Sequence, residues 1–440
     1  RVTGLIASAL LIFSPLAWFY GEVALSYVVE LPLVLAATWL LYQLLFHRRH
    51  AVAAAIVIGI AAGFRQDVLI FLGPFWLVGS FRVGTRTMLL SWLAMVVSIA
   101  VWLAPLLYLV GGIIKYRELT SYQFRTGVFL TSIFSSGSDG GIDGFFRNAK
   151  DVWRAMLWLM GSASVLFVYI AGLFLLPGKM VSDRRYLFLL LLSLPAFSFF
   201  VLFHFGQPGY LLVYSAPLVI MVSRVLIMLA EDLNRALSKG FPEGKSSCAT
   251  KDLLKTPGYM LIVLLLSLIV LINTGLFLRA ARIDQLFPTA EGKVSALFGN
   301  YSAIGIKEVD RQMEAALSKV NEFDSGTTIV GSVYVAPSPY PYAPDWRRLM
   351  YYLPEYRVLM LQVNAGESYL DAKDHSFSAV DGSFITMDED VTKAIFIGMK
   401  PARASVELVP VQEISGYAPV NVANIPPAGW IEVGPFRFAK

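Results

Sequence analysis

The strongest constraint on this chain is a series of apolar runs near bilayer length: residues 4 to 20, 23 to 46, 51 to 63, 68 to 80, 88 to 110, 155 to 176, 186 to 203, 211 to 230 and 257 to 278. A spanning helix needs roughly 20 predominantly apolar residues, so the runs predict about nine membrane segments. Backbone polar groups must be satisfied within lipid, which confines such runs to helices. A mean hydropathy of +0.62 and 56% hydrophobic residues over 440 positions exclude a soluble protein. The third and fourth runs are too short to span alone, and they meet at Phe64-Arg65-Gln66-Asp67. They are expected to form two half-length helices with a polar apex buried in protein or lining a cavity. The alternative, one long tilted helix through Arg65, is opposed by Gly73-Pro74.

Charge then divides the chain. Residues 1 to 286 carry 23 Lys and Arg against 13 Asp and Glu, and residues 287 to 440 carry 13 against 18. With the last apolar run ending near Leu278, this shift predicts a transmembrane domain over 1–286 and an extracytoplasmic α/β domain over 287–440. The basic balance belongs to membrane loops and does not point to nucleic acid. A single cysteine, Cys248, excludes an internal disulfide framework. Arg1 leads straight into an apolar span with no charged n-region or cleavage site, so that span is not a signal peptide, and an upstream piece of chain is expected.

Orientation follows from the basic loops. Arg48 and Arg49, then Arg82 and Arg86, then Lys179, Arg184 and Arg185, then Arg235, Lys239, Lys245, Lys251 and Lys255 fall on alternate connections, read as cytoplasmic. The turn at Glu22, the Arg65 apex, the loop 111 to 153, the stretch His204 to Tyr210 and the carboxyl-terminal domain then face outward. The loop 111 to 153 disobeys the charge rule with Lys115, Arg117, Arg125, Arg147 and Lys150, and with Arg154 at its border. Its apolar spacing suits amphipathic helices in the headgroup region, one before and one after the turn SSGSDGGIDG. Lipid anchoring and phosphate binding are evenly matched readings of its cations. Asp139 and Asp143 are candidate ligands for a divalent cation, although two aspartates in a glycine-rich turn read better as a solvated turn.

The tail carries an amphipathic helix near Lys307 to Val320, a strand in TTIVGSVYVA, a Pro/Tyr-rich turn, a helix and strand in DWRRLMYYLPEYRVLML, and further strands in KAIFIGM and WIEVGPFRF. It shows no nucleotide fingerprint, metal spacing or nucleophile motif. A packing or acceptor-docking module is the preferred reading.

Ionisable groups among apolar runs are costly, and they mark function by default. On a helix starting near Glu22, the positions Glu22, Ser26 and Glu30 share a face, with Glu30 roughly 12 Å deeper. Pro32 frees the carbonyl of Val28 and favours a polar pocket there. Glu22 also reads as a solvated helix-start acid. Arg65 costs about 2.5–3.5 kcal/mol at the bilayer centre, so an anion is expected beside it. That anion is either Glu22 or Glu30, in a structural ion pair, or a ligand phosphate. Asp67, two residues on, points elsewhere if the segment is helical. His204, Gln207 and Tyr210 add donors and acceptors around Gly206 and Pro208. A bilayer enzyme that takes a sugar from a polyprenyl phosphate needs a lipid groove, cations for the leaving phosphate and a carboxylate base. Arg65 and the loop cations, with Glu22, Glu30 and Asp67, supply such parts.

The segments SPLAWFYGEVALSYVVE, GIAAGFRQDVLIFLGPFWL, HFGQPGYLLVYSAPLVIM and DWRRLMYYLPEYRVLML resemble, in this order, the GT-C membrane glycosyltransferases, in particular the protein O-mannosyltransferases and lipid-A aminoarabinose transferases. The resemblance implies inverting transfer from a polyprenyl-phosphate sugar to a glycan, lipid or protein acceptor on the outer face of a bacterial inner membrane. It implies no certain cofactor. In that family the main catalytic carboxylate lies between the first two membrane helices, and the first span here resembles the third, so that base is expected upstream and this fragment is expected to be inactive as it stands. Glu22 matches a secondary acidic position; Arg65, Gln66, Asp67, His204, Gln207 and Tyr210 match pocket-lining segments. The rival readings are a lipid-linked sugar transporter or flippase with a periplasmic accessory domain, and a sensor or assembly protein whose tail is the active part.

Overall fold

The computed structural model describes residues 2–22, 27–124, 128, 132–135, 140–160, 183–204, 208–238, 257–286, 303–335, 346–363, 368–371, 376–379, 384–398, 404–412, 418–427 and 430–440. The chain divides into two compact units, Arg1–Ala280 and Ala281–Lys440.

The first unit is helical. It contains α1 (Val2–Ile12), α2 (Pro15–Glu22), α3 (Tyr27–His47), α4 (Ala51–Phe64), α5 (Asp67–Ser80), α6 (Thr85–Val110), α7 (Ile113–Gln123), α8 (Gly141–Met160), α9 (Arg184–Leu202), α10 (Pro208–Tyr214), α11 (Ala216–Ser238) and most of α12 (Pro257–Leu286). Among the described residues four helices are long and apolar enough to cross a membrane, in α3, α6, α9 and α12, or up to six if each bent pair is one span. The run 4 to 20 is one such pair, bent by 59° between α1 and α2, and α10 with α11 is the other, bent by 62°. Pro15 breaks the first, because proline has no N–H to continue the ladder. Asn273 Nδ2 of α12 donates to the Phe13 carbonyl at that break, at 2.9 Å. Much of the apolar run 155 to 176 lies outside the described residues. Leu89, Leu93, Val96, Val97 and Val101 stand exposed along α6. An apolar surface of that extent is what a helix presents to lipid, and it gives the unit its membrane-associated character.

The half-length helices form as expected. The 14-residue α4 ends at Phe64, and Arg65 adopts an extended conformation (φ −152°, ψ 121°) before α5 begins at Asp67. One helix running through Arg65 is therefore excluded, although α5 itself continues through Pro74. Small residues let α4 and α6 approach closely, as in membrane helix packing. A Cβ on Gly59 would lie 2.5 Å from Ser98 Cβ, and one on Gly63 would lie 2.9 Å from the Trp102 ring. Trp102 Nε1 donates to the Gly59 carbonyl at 2.9 Å, and Ser91 Oγ donates to that of Ala51 at 2.9 Å.

The second unit is mixed α/β, with α13 (Ala303–Val320), β1 (Thr328–Val335), α14 (Trp346–Tyr352), β2 (Arg357–Val363), β3 (Ser368–Asp371), β4 (Ser376–Ala379), β5 (Phe384–Thr386), β6 (Lys393–Ile397), β7 (Leu408–Gln412), β8 (Val420–Asn424), β9 (Trp430–Val433) and β10 (Phe436–Ala439). Seven strands form one sheet in the order β4-β3-β2-β1-β6-β8-β7, and three form another in the order β5-β10-β9. β1 pairs in parallel with both β2 and β6. Alternate side chains of a strand face opposite sides, which gives this sheet two cores. Val330, Val358, Ile395 and Val422 pack with Met313, Ala316 and Val320 of α13 and with Leu349 of α14. Ile329, Leu359, Phe396 and Ala423 pack against Ile385, Ile431 and Phe438 of the small sheet. The order is helices, large sheet, small sheet. WIEVGPFRF is a hairpin, β9 to β10, turned at Gly434 with φ 60°.

Candidate functional site

Helix ends bring the charged groups of the first unit together. The start of α3 supplies Tyr27 and Glu30, the break between α4 and α5 supplies Arg65 and Asp67, and α10 supplies Tyr210 and Tyr214. Arg65 forks onto Asp67, with Nε donating to Oδ1 at 3.2 Å and Nη2 to Oδ2 at 2.5 Å. Its Nε also lies 3.7 Å from Glu30 Oε1. The guanidinium sits over the Tyr210 ring, 3.9 Å from the centroid, and 5.5 Å from that of Tyr27, within cation–π range. Tyr210 stacks in turn with His204, at 5.4 Å and 28°, and with Phe200, at 5.7 Å and 25°. Gly209 allows α10 this approach, since a Cβ there would lie 2.6 Å from the Tyr27 ring.

The cluster is short of partners. The Glu30 side chain is fully enclosed, at 0% exposure. Neither of its carboxylate oxygens accepts a hydrogen bond, and Arg65 Nη1 and the Tyr214 hydroxyl are likewise buried without one. Tyr214 lies near Asp67. Buried polar atoms without partners are rare in folded proteins, and they call for a role or an absent molecule.

Several expectations change. Asp67 does not point away from Arg65, because the extended backbone at Arg65 removes the helical offset that separates residues two apart. The Gln66 side chain pairs outside the cluster: its exposed amide donates to the Tyr116 hydroxyl of α7. Glu22 ends α2 rather than starting a helix, so it is no helix-start acid, and Glu22 and Glu30 belong to different helices. The Glu22 side chain lies outside the described residues, as do Gln207, Arg125 and Asp139. Two protein carboxylates stand beside Arg65: Glu30, one of the anions expected there, and Asp67, which was not expected. Tyr27 and Tyr214 were missed, though each has a signal in the sequence: Tyr27 precedes Glu30 by three residues and Tyr214 follows Tyr210 by four, spacings that share a helix face.

Beside the cluster lies α8, which packs against α2, α9 and α10. Its Asn148 Nδ2 donates to the Val201 carbonyl of α9 at 3.2 Å. One face of α8 is buried at Asn148, Ala155 and Leu159, the next exposes Ile142, Phe146 and Trp153, and the third carries Arg147, Lys150 and Arg154. This is the pattern of a helix lying in a lipid–water interface. Burial raises the Asp151 carboxyl above its ordinary range, and Arg154, Arg147 and Lys150 pull it back. Asp143 is exposed in the first turn of α8. Among the described residues no group of three or more His, Cys, Asp and Glu side chains is placed to hold a metal ion.

Comparison with protein-family models, with curated proteins and with solved structures finds no match to this chain.

Proposed function

We propose that this protein is a membrane glycosyltransferase, of the GT-C kind, that moves a sugar with inversion from a polyprenyl-phosphate donor to an acceptor hydroxyl on the extracytoplasmic face. The full reading is of about nine membrane segments in a bacterial inner membrane and an extracytoplasmic α/β domain. The observation that carries it is the convergence of Glu30, Arg65, Asp67 and Tyr210, from separate apolar elements, on the end of the bundle where α8 lies. A transferase acting on a lipid-linked sugar needs its reactive groups gathered among its membrane helices.

In the reaction, the acceptor oxygen forms a bond to the anomeric carbon while the bond from that carbon to the phosphate oxygen breaks. The electron pair leaves with the polyprenyl phosphate, and the acceptor proton goes to a carboxylate. Cations on α8, namely Arg147, Lys150 and Arg154, and on α7, namely Lys115 and Arg117, supply the positive field for the leaving phosphate. Of the candidate acids with described side chains, Asp67 is forked onto Arg65, whereas Glu30 accepts no hydrogen bond and meets Arg65 only as an ion pair at 3.7 Å. Glu30 is therefore the better placed of these two secondary acids to take part in the proton transfer.

The test is transfer from radiolabelled short-chain polyprenyl phosphohexoses and phosphopentoses by the full-length protein in nanodiscs, read as release of polyprenyl phosphate. Glu30→Gln is expected to slow release about 100-fold, within the range for loss of an acid–base group. Unchanged release in Glu30→Gln, or no release from any donor by the wild type, contradicts the proposal.

The half-length helices α4 and α5, with charges at their break, favour a second reading, a lipid-linked sugar transporter, because transporters build midplane sites from such broken helices. Movement of intact donor between leaflets, without release of polyprenyl phosphate, would identify it.

A further inference from the structure

Four enclosed atoms of the Arg65 cluster have no hydrogen-bond partner: Glu30 Oε1, Glu30 Oε2, Arg65 Nη1 and Tyr214 Oη. Their chemistry specifies what completes them. A carboxylate only accepts, a guanidinium only donates, and a phenol does either. The missing group must therefore donate to Glu30 and accept from Arg65 within one small volume. A phosphodiester only accepts, so it leaves the Glu30 oxygens without a donor, and Arg65 is already forked onto Asp67. An ammonium only donates, and it would leave Arg65 Nη1 unpaired. A hydroxyl does both, and a sugar ring carries several side by side.

We infer that the Glu30–Arg65–Tyr214 cluster is a binding site for sugar hydroxyls and not the site that holds the phosphate. The inference deepens the glycosyl-transfer reading and rests on it for the lipid carrier, but the hydroxyl chemistry stands on the donor and acceptor balance alone. Stacked aromatic rings flank the site in Tyr210 and Tyr27, and aromatic faces suit the apolar C–H surface of a sugar. The four atoms are shut off from solvent, so binding requires the cluster to open. Once there, the ligand forms hydrogen bonds to these atoms without breaking any that they already make. Water has the same donor and acceptor balance, and the experiment separates the two.

The experiment is saturation-transfer NMR of a panel of free hexoses and pentoses with the full-length protein in nanodiscs, followed by titration of sugar-free polyprenyl phosphate. The wild type is expected to bind at least one free sugar. Glu30→Gln and Tyr214→Phe are each expected to weaken that binding about tenfold, as loss of a hydrogen bond to a charged or buried group does, and to leave the affinity for polyprenyl phosphate within about twofold. Tyr214→Phe keeps the ring that packs against Phe71 at 5.0 Å, so one variant remains informative if the other fails to fold. Wild-type protein that binds no sugar indicates that water alone fills the cluster and overturns the inference. So does sugar binding unaffected by both variants, or a loss of polyprenyl phosphate binding equal to the loss of sugar binding. Sugar binding without transfer from any lipid donor would uphold the inference while removing the glycosyltransferase reading.

Discussion

Each unit of the molecule buries an arginine–aspartate pair, and the two pairs differ in one respect. In the α/β unit Arg357 of β2 reaches Asp371 of β3, its Nε and Nη2 both donating to Oδ2, at 2.8 and 2.6 Å. No buried side-chain atom of that pair lacks a partner. In the helical unit Arg65 and Asp67 make a similar fork, yet a second carboxylate, Glu30, stands 3.7 Å away with both oxygens unsatisfied. One pair is closed and can be understood as structure. The other has an excess of buried acceptors, which calls for a role or a partner.

That contrast can be broken first at the arginines. Arg65→Met would strand two buried carboxylates and is expected to destabilise the helical unit by about 3–5 kcal/mol or more, the cost of leaving a buried charge unpaired. Arg357→Met, which strands Asp371 alone, is expected to fall at the lower end of that range in the α/β unit. Hydrogen exchange, read separately over α3 to α5 and over β2 and β3 in the full-length protein, measures both. Equal and negligible losses would show that neither pair is buried in the sense used here. Arg65→Ala is expected to strand the same two carboxylates. Once Arg65 is seen between two carboxylates, loss of activity in that variant cannot be separated from loss of fold.

A smaller effect sharpens the comparison within the α/β unit. Tyr356 donates to the Phe323 and Val320 carbonyls, at 2.6 and 3.2 Å, and ties β2 to the end of α13. Tyr356→Phe is expected to cost about 1 kcal/mol in urea unfolding of that unit. Burial, with Asp324 and Glu355 nearby, raises the Tyr356 phenol above its ordinary range. The folded state thus holds this proton more tightly than the unfolded chain. Its contribution is whole below a pH of about 10 and is lost as pH rises through the raised value. A Tyr356→Phe variant with the same alkaline unfolding profile as the wild type would refute this.

Local patterns carried much of this into the sequence. Two apolar runs too short to span, meeting at four polar or bulky residues, announce a break at Arg65, and the structure has it. Glu30 was legible as one of three candidate anions for Arg65, beside Glu22 and a ligand phosphate. The Asp67 fork was not, because it depends on the extended φ at Arg65, and a helical offset predicts the opposite. The contact of Gln66 with Tyr116 spans 50 residues and has no local signal. In the tail, β1, β2, β6 and the terminal hairpin stand out as apolar runs, whereas β3 and β4, the polar segments SYLD and SFSA, become strands only by pairing with β2 and with each other. The bend between α10 and α11 falls at Ser215, inside a run that reads as one span.

The most direct measurement compares Glu30→Gln with Asp371→Asn in the same full-length background, by thermal unfolding in nanodiscs with hydrogen exchange reporting each unit. Glu30→Gln, which keeps shape and removes a charge that makes no hydrogen bond, is predicted to leave the helical unit as stable as the wild type or more so. Asp371→Asn is predicted to destabilise the α/β unit by about 2–3 kcal/mol, because it removes a charge that both Arg357 donors use. A Glu30→Gln protein as destabilised as Asp371→Asn would make Glu30 a structural residue and contradict the open-cluster account.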